Sequence, residues 1–172
     1  MTIVFLATVA LVIGLGSAVQ VGLVASLGRE RGPVEAAWIN VLGTFSGMAL
    51  VFGIQSLRGN PPNLPSPFDN PLVFVAIALA SVFALATSMR GLEVYLGIAG
   101  AFGFMYLVGA GYLAPRLGVA LFASAVTAGT LIGSVVLDHY GFLGTDVHRV
   151  NVLRIFGLMF LVLGVVLVRG NR

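Results

Sequence analysis

The stretch IVFLATVALVIGLGSAVQVGLVASL, residues 3–27, decides the fold class. It carries no charged residue, and Gln20 is its only strongly polar one. A helix of about 20 apolar residues crosses the hydrocarbon core of a bilayer. The stretch lacks the basic start and the small-residue cleavage site of a signal peptide, so we expect it to remain in the protein as a membrane-spanning helix.

Similar apolar runs follow along the rest of the chain. Together with the first they predict spans at about 3–27, 34–54, 71–88, 94–114, 119–137 and 152–168. Apolar residues make up 59% of the chain and charged residues 9%, against roughly 45–50% and about 25% in soluble domains. Because backbone within lipid must satisfy its own hydrogen bonds, we predict an all-α polytopic membrane protein. It would form a single bundle of six transmembrane helices, with five helices as the alternative.

The run at 71–88 is the one whose span is open to question. Asn70 followed by Pro71 is typical of an N-cap with proline at the first helical position. An interfacial helix would need a charged face, and residues 72–86 carry no charge. We therefore expect a true span here. The last run is short once Arg154 is excluded, and we expect this side chain to reach back to the headgroups.

The residue types exclude several kinds of chemistry. The chain has no cysteine, which rules out disulfides, zinc–thiolate sites and iron–sulfur clusters. Its nine basic residues are scattered arginines, unlike the basic stripe of a nucleic-acid-binding protein. Glu35, at the start of the run at 34–54, is the only Asp, Glu, Lys or His inside an expected span, and none lies deeper in one, which argues against buried acid–base catalysis. We expect neither an enzyme nor a need for a cofactor or metal.

Uncharged polar residues within the spans are the candidates for a solute pathway. An amide or hydroxyl in hydrocarbon needs a partner, which can be a neighbouring helix or a substrate. The predicted cavity-lining residues are Gln20, Asn40, Tyr106 and Thr130. Helix–helix bonding is the alternative for Gln20 and Asn40, and for Thr130 the alternative is a bond to its own i−4 carbonyl.

Two further groups of residues are predicted to have structural roles. The pairs Gly43 with Gly47 and Gly129 with Gly133 have the GxxxG spacing that allows helices to pack closely. Asp138 and His139 are adjacent, so they cannot supply a full metal site, and with Arg154 they are expected at the membrane interface. No internal repeat is evident, and any inverted symmetry is therefore expected to come from a second chain.

The arginines divide almost evenly between the two sides of a six-helix bundle. One side would carry Arg29, Arg31, Arg90, Arg149 and Arg154, and the other Arg58, Arg116, Arg169 and Arg172. Arginine bias normally sets the orientation of a membrane protein. A near-even division is compatible with insertion in both senses and an antiparallel pair, although chance alone also produces it.

Five stretches together carry a resemblance to a known family. They are GLGSAVQVGLVASLG (14–28), AAWINVLGTFSGMALVFG (36–53), GAFGFMYLVGAGYLAPRLG (100–118), TAGTLIGSVVLDHYGFLG (127–144) and RIFGLMFLVLGVVLV (154–168). In this order they resemble the drug/metabolite transporter superfamily, specifically its small, half-size YdcZ-like family of bacterial inner-membrane proteins. The most specific residues are Gln20, Asn40 and the Asp-His-aromatic-Gly sequence that starts at Asp138.

The resemblance implies a fold in which two inverted bundles surround a central cavity, so a half-size member is expected to act as a dimer. Two features depart from the family pattern. The family usually has five helices, which would make the run from Pro71 to Ser88 an insertion. Thr130 stands where relatives often have glutamine.

The function expected from the sequence is transport of a small metabolite or drug-like solute across the bacterial inner membrane. We expect a homodimer that works by alternating access, and an antiparallel pair in the bilayer is one arrangement compatible with the division of the arginines. A cavity without fixed charge favours a neutral, amphipathic or delocalised-cation substrate, and no nucleic-acid partner is expected. The alternative is a non-transporting scaffold or accessory subunit.

Overall fold

The computed structural model describes residues 2–60, 62–68, 70–144 and 147–169. Its α-helices are α1 (Ile3–Arg31), α2 (Pro33–Leu57), α3 (Pro71–Ser88), α4 (Ala99–Leu117), α5 (Val119–Tyr140) and α6 (Val152–Arg169). Short 3-10 turns at Val94–Ile98 and Phe142–Gly144 precede α4 and follow α5. No strand occurs among these described residues, so the chain is an all-α protein.

Two pairs of helices are joined by a single glycine each. The predicted spans leave residues 28–33 as a connection, but α1 continues to Arg31, and only Gly32 separates it from α2. Likewise α4 runs through Pro115 to Leu117 and is separated from α5 by Gly118. Gly32 has φ +100° and Gly118 has φ +85°, a region of backbone conformation that glycine adopts without steric cost.

The third helix begins as its sequence predicts. The Asn70 side chain accepts a hydrogen bond from the Leu72 amide at 3.0 Å, with Pro71 at the first helical position. This confirms the N-cap. On α3, Phe74 is 6% exposed and meets the Phe52 ring of α2 edge-on, with the ring centroids 5.3 Å apart.

Five helices are long and apolar enough to cross a membrane by length and composition. They are α1, α2, α3, α5 and the stretch Val94–Leu117 that contains α4. The sixth, α6, is a shorter apolar helix over Val152–Leu167. The doubtful span is therefore α6 and not α3. Large apolar side chains such as Phe83 (69% exposed) and Phe160 (70% exposed) point away from the protein, as a lipid-facing surface requires.

The helices form two compact units. Unit 1 contains residues 2–26 and the described residues from 105 to 169, and unit 2 contains residues 27–60, 62–68 and 70–104. The core of unit 1 is formed by α1, α4 and α5, and includes Ala10, Leu113 and Phe122. In unit 2, α2 packs along α3 and against the start of α4.

Candidate functional site

In unit 1, α1 and α5 make a close helix contact. A Cβ atom on Gly129 would lie 3.1 Å from the Cα of Gly14 and would clash with the carbonyl oxygen of Leu11. One turn further along, a Cβ on Gly133 would come within 2.7 Å of the Ala18 Cβ. The two backbones can approach this closely only because Gly14, Gly129 and Gly133 have no side chain.

The Thr130 hydroxyl bridges α1 and α5 at this contact. Its Oγ1 lies 3.0 Å from the carbonyl oxygen of Val126 on its own helix and 3.2 Å from that of Gly14 on α1. A hydroxyl has one proton, so it is shared between the two carbonyls. The structure therefore gives Thr130 a role in joining two helices, and the oxygen keeps accepting capacity towards a third group.

The other two predicted pathway residues of unit 1 are Gln20 on α1 and Tyr106 on α4. Gln20 is half-buried on α1 and is not without an interaction partner. Tyr106 on α4 is 39% exposed, and its ring lies 6.1 Å from that of Phe122 on α5. Unit 1 thus offers an amide and a phenol, each partly accessible.

Unit 2 contains a second close helix contact, between α2 and α4. A Cβ on Gly43 would lie 3.0 Å from the Cα of Gly100, and a Cβ on Gly47 would lie 3.5 Å from the Phe104 ring. The Thr44 Oγ1 lies 3.0 Å from the carbonyl oxygen of Asn40 and 3.0 Å from that of Gly100. The same combination of glycine contact and shared threonine hydroxyl is therefore present in each unit.

Asn40, the remaining predicted pathway residue, belongs to unit 2. Its backbone carbonyl accepts from Thr44. Asn40 is half-buried and is not without a partner. The predicted set is thus divided, with Gln20, Tyr106 and Thr130 in unit 1.

Polar residues gather at the end of α5. The Arg154 guanidinium lies 3.5 Å from the Asp138 carboxylate, and both side chains are about one-third exposed at 34% and 32%. The same guanidinium donates to the His148 carbonyl, and the His148 amide donates to the Asp138 carbonyl. The Val150 amide donates to Nδ1 of His139. These bonds hold residues 147–150 beside the helix end. No group of three or more possible metal ligands occurs in the part of the chain that the structure describes.

Two grooves of unit 1 are apolar. The larger, about 680 Å³, is lined by Ile132 of α5 and by residues of α6 that include Phe156 and Met159. The smaller, about 200 Å³, lies between the start of α1, Leu121 and the end of α6. Neither is lined by a predicted pathway residue. Both suit acyl chains better than a polar solute.

Sequence reasoning missed Thr44, Gly14 and Gly100. Thr44 follows Gly43 in the same way that Thr130 follows Gly129, a signal that was available in the printed sequence. The importance of Gly14 and Gly100 depends on which helices meet. Their neighbours become known only from the fold.

Apolar exposed faces and five helices long and apolar enough to cross a bilayer define a polytopic integral membrane protein. Residues 70–167, more than half of the 172-residue chain, match the model of a family described as "Putative inner membrane exporter, YdcZ". The chain belongs to this family and is a multi-pass inner-membrane protein. No curated protein and no solved structure matches the chain.

The extent of the match corrects one expectation. It begins at residue 70 and so includes α3, which means that Pro71–Ser88 is not an insertion into the family pattern. Tyr106, Thr130 and Asp138 lie inside the matched region, whereas Gln20 and Asn40 lie outside it.

Proposed function

We propose that this protein exports a small solute across the inner membrane by alternating access. The observation that carries the proposal is the family match over residues 70–167, whose description names an exporter. Close helix contacts built on glycine and threonine support it, because helices that meet through small residues can rock against each other with little repacking.

The substrate class follows from the distribution of charge. The ionisable residues of the helices lie in terminal turns, as Glu35, Asp138 and Arg154 do. A solute passing the middle of the bilayer would meet amides, hydroxyls and aromatic faces. We propose a neutral, amphipathic or delocalised-cation substrate, because an aromatic face attracts a diffuse cation without a carboxylate.

The proposed solute-contacting residues are Gln20 and Tyr106 in unit 1 and, separately, Asn40 in unit 2, and Thr130 is assigned to the helix contact. The test is transport by protein reconstituted in liposomes, with tetraphenylphosphonium as a delocalised-cation probe and a neutral amphipathic dye as a second probe. We expect Gln20→Ala and Asn40→Ala to lower uptake by about tenfold or more, the loss of one or two polar contacts. The neighbouring variants Val21→Ala and Val41→Ala, at side chains 60% exposed, should leave uptake unchanged.

Equal uptake in Gln20→Ala and in its control would refute this lining. Absence of uptake by the wild-type protein for every probe, with correct folding, would favour an accessory subunit. The homodimer stays a prediction, and the measured mass of the detergent-solubilised protein tests it.

A further inference from the structure

We propose that the chain contains two inverted copies of one two-helix repeat, residues 8–54 and 94–140, with Gln20 and Tyr106 at the same position of the two copies. The equivalence of Gln20 and Tyr106 extends the proposed function and rests on it. It replaces the expectation that inverted symmetry requires a second chain.

The sequence evidence is a constant separation of 86 positions. GTFSG at 43–47 corresponds to GTLIG at 129–133. With the same separation, Gly14 corresponds to Gly100, and Gly32 to Gly118. In a chain with 23 glycines, isolated matches arise by chance, so the geometry of the matched positions must decide.

The inter-helix turns match in backbone geometry. Gly32 has φ 100° and ψ 157°, and Gly118 has φ 85° and ψ 144°. The amide of Gly32 donates to the carbonyl four residues earlier at 3.0 Å, and that of Gly118 does so at 2.9 Å. Each glycine carbonyl accepts from the amide four residues later at 3.1 Å. These bonds are the last of one helix and the first of the next, so the matched φ and ψ angles of the two glycines carry the comparison.

The helix contacts match as well, and they are reciprocal. Thr44, in the first copy, shares its hydroxyl with the carbonyl of Gly100 in the second, at 3.0 Å. Thr130, in the second copy, shares its hydroxyl with the carbonyl of Gly14 in the first, at 3.2 Å. In both cases the other acceptor is the i−4 carbonyl at 3.0 Å. Each contact lies inside its own unit.

Residues 86 positions apart are also buried to a similar degree. Ala10 and Leu96 are both 0% exposed, and Ala36 and Phe122 are 1% and 4% exposed. The correspondence ends after the second helix, because α3 begins at 71 and α6 at 152, a different separation. The repeat is therefore a helix, a single-glycine turn and a second helix, followed by an apolar helix at variable distance.

The relative direction of the copies follows from counting crossings. If each helix crosses the bilayer, three crossings separate the start of α1 from the start of α4, and an odd number reverses the direction. Inverted repeats of this kind are a common basis of alternating access, with the substrate site near the midplane. One chain then supplies the symmetry by itself.

The separation of 86 positions also makes Gln20 and Tyr106 equivalent residues. Gln20 follows Gly14 by six positions, as Tyr106 follows Gly100, and both belong to unit 1. In an inverted pair, equivalent positions that line a pathway, as proposed for Gln20 and Tyr106, do so from opposite directions. Gln20 and Tyr106 are therefore the two unlike side chains that set solute preference.

The first test does not depend on transport. Val34 and Ala120 are exposed, equivalent residues just after the two glycine turns. We would make Val34→Cys and Ala120→Cys together in this cysteine-free chain, treat sealed vesicles with a membrane-impermeant maleimide, and weigh the intact protein. Inverted copies give one adduct per chain in either orientation, and two after permeabilisation. Chains carrying two or no adducts before permeabilisation would overturn the proposal.

The second test concerns the pair and uses the transport assay. Gln20→Tyr and Tyr106→Gln are compared with the double variant, which exchanges the two residues between copies. We expect the double variant to transport at least about threefold better than the product of the two single losses, since changes at two residues that contact one solute are non-additive. Additive losses would refute the pairing. A failed transport assay with one adduct per chain would refute the proposed function and leave the duplication standing.

Discussion

Gly129 of α5 faces Gly14 of α1 so closely that a Cβ atom on Gly129 would lie 3.1 Å from the Gly14 Cα. The same Cβ would also overlap the Leu11 carbonyl oxygen, which is backbone and cannot move aside as a flexible side chain could. This contact fixes how near α1 and α5 lie, and it yields the first prediction.

Gly129→Ala should destabilise the protein by about 1–3 kcal/mol, the usual range for inserting a methyl group into a full contact. Gly111→Ala is the matched control, because a Cβ on Gly111 meets nothing within 4 Å and alanine favours the helix by up to about 1 kcal/mol. Thermal unfolding in detergent measures both. If the two variants melt alike, the α1–α5 contact is not as close as described.

A second prediction concerns α3. Phe74→Ala should cost about 3–5 kcal/mol, because the ring is 6% exposed and its removal leaves a cavity against Phe52. Phe83→Ala, on the same helix but 69% exposed, removes the same atoms from a surface position and should cost far less. Denaturation in mixed micelles compares them. A similar cost for both would mean that α3 does not pack on α2 through this face.

The third prediction is that α3 crosses the membrane. A chain carrying Asn63→Cys and Glu93→Cys has one cysteine before α3 and one after it, both exposed. In sealed vesicles, a bulky impermeant polyethylene-glycol maleimide should add one polymer per chain, seen as a single shift on a gel. A double shift in the absence of detergent would place both loops on one side and make α3 an interfacial helix.

The ion pair between Asp138 and Arg154 gives a fourth prediction. Both side chains are about one-third exposed, so their coupling should be small, about 0.2–1 kcal/mol, and should fall as salt is added. A double-mutant cycle with Asp138→Asn and Arg154→Gln measures it, and Arg149→Gln in the same segment serves as control. Coupling above this range, insensitive to salt, would show a buried pair instead.

The sequence predicts the helices well, because runs of uncharged apolar residues have one stable form in lipid. It predicts the cap at Asn70 because a side chain and its bonded amide are two residues apart. The ends of α1 and α4 were predicted too early. Charge at Arg29 and a proline at 115 indicated breaks, but a helix outside the hydrocarbon tolerates charge, and a proline in the last turn removes one hydrogen bond.

The glycine contacts were harder to predict. GxxxG pairs arise easily in a glycine-rich chain, and only the fold shows that Gly43 lies opposite Gly100 and Gly129 opposite Gly14. The correspondence between the two copies involves few identical residues. Most of it is in backbone angles, carbonyl acceptors and burial, which side-chain identity does not record.

The lengths of the helices determine how the protein responds to bilayer thickness. At about 1.5 Å per residue, the 18 residues of α6 reach about 27 Å and the 29 residues of α1 about 43 Å, against a hydrocarbon core of about 30 Å. A long helix adapts to bilayer thickness by tilting, whereas a short one must thin the bilayer around it or draw its end groups inward. Acyl-chain length should therefore affect mainly how α6 fits the bilayer. Thick, sterol-rich membranes should accommodate this protein poorly.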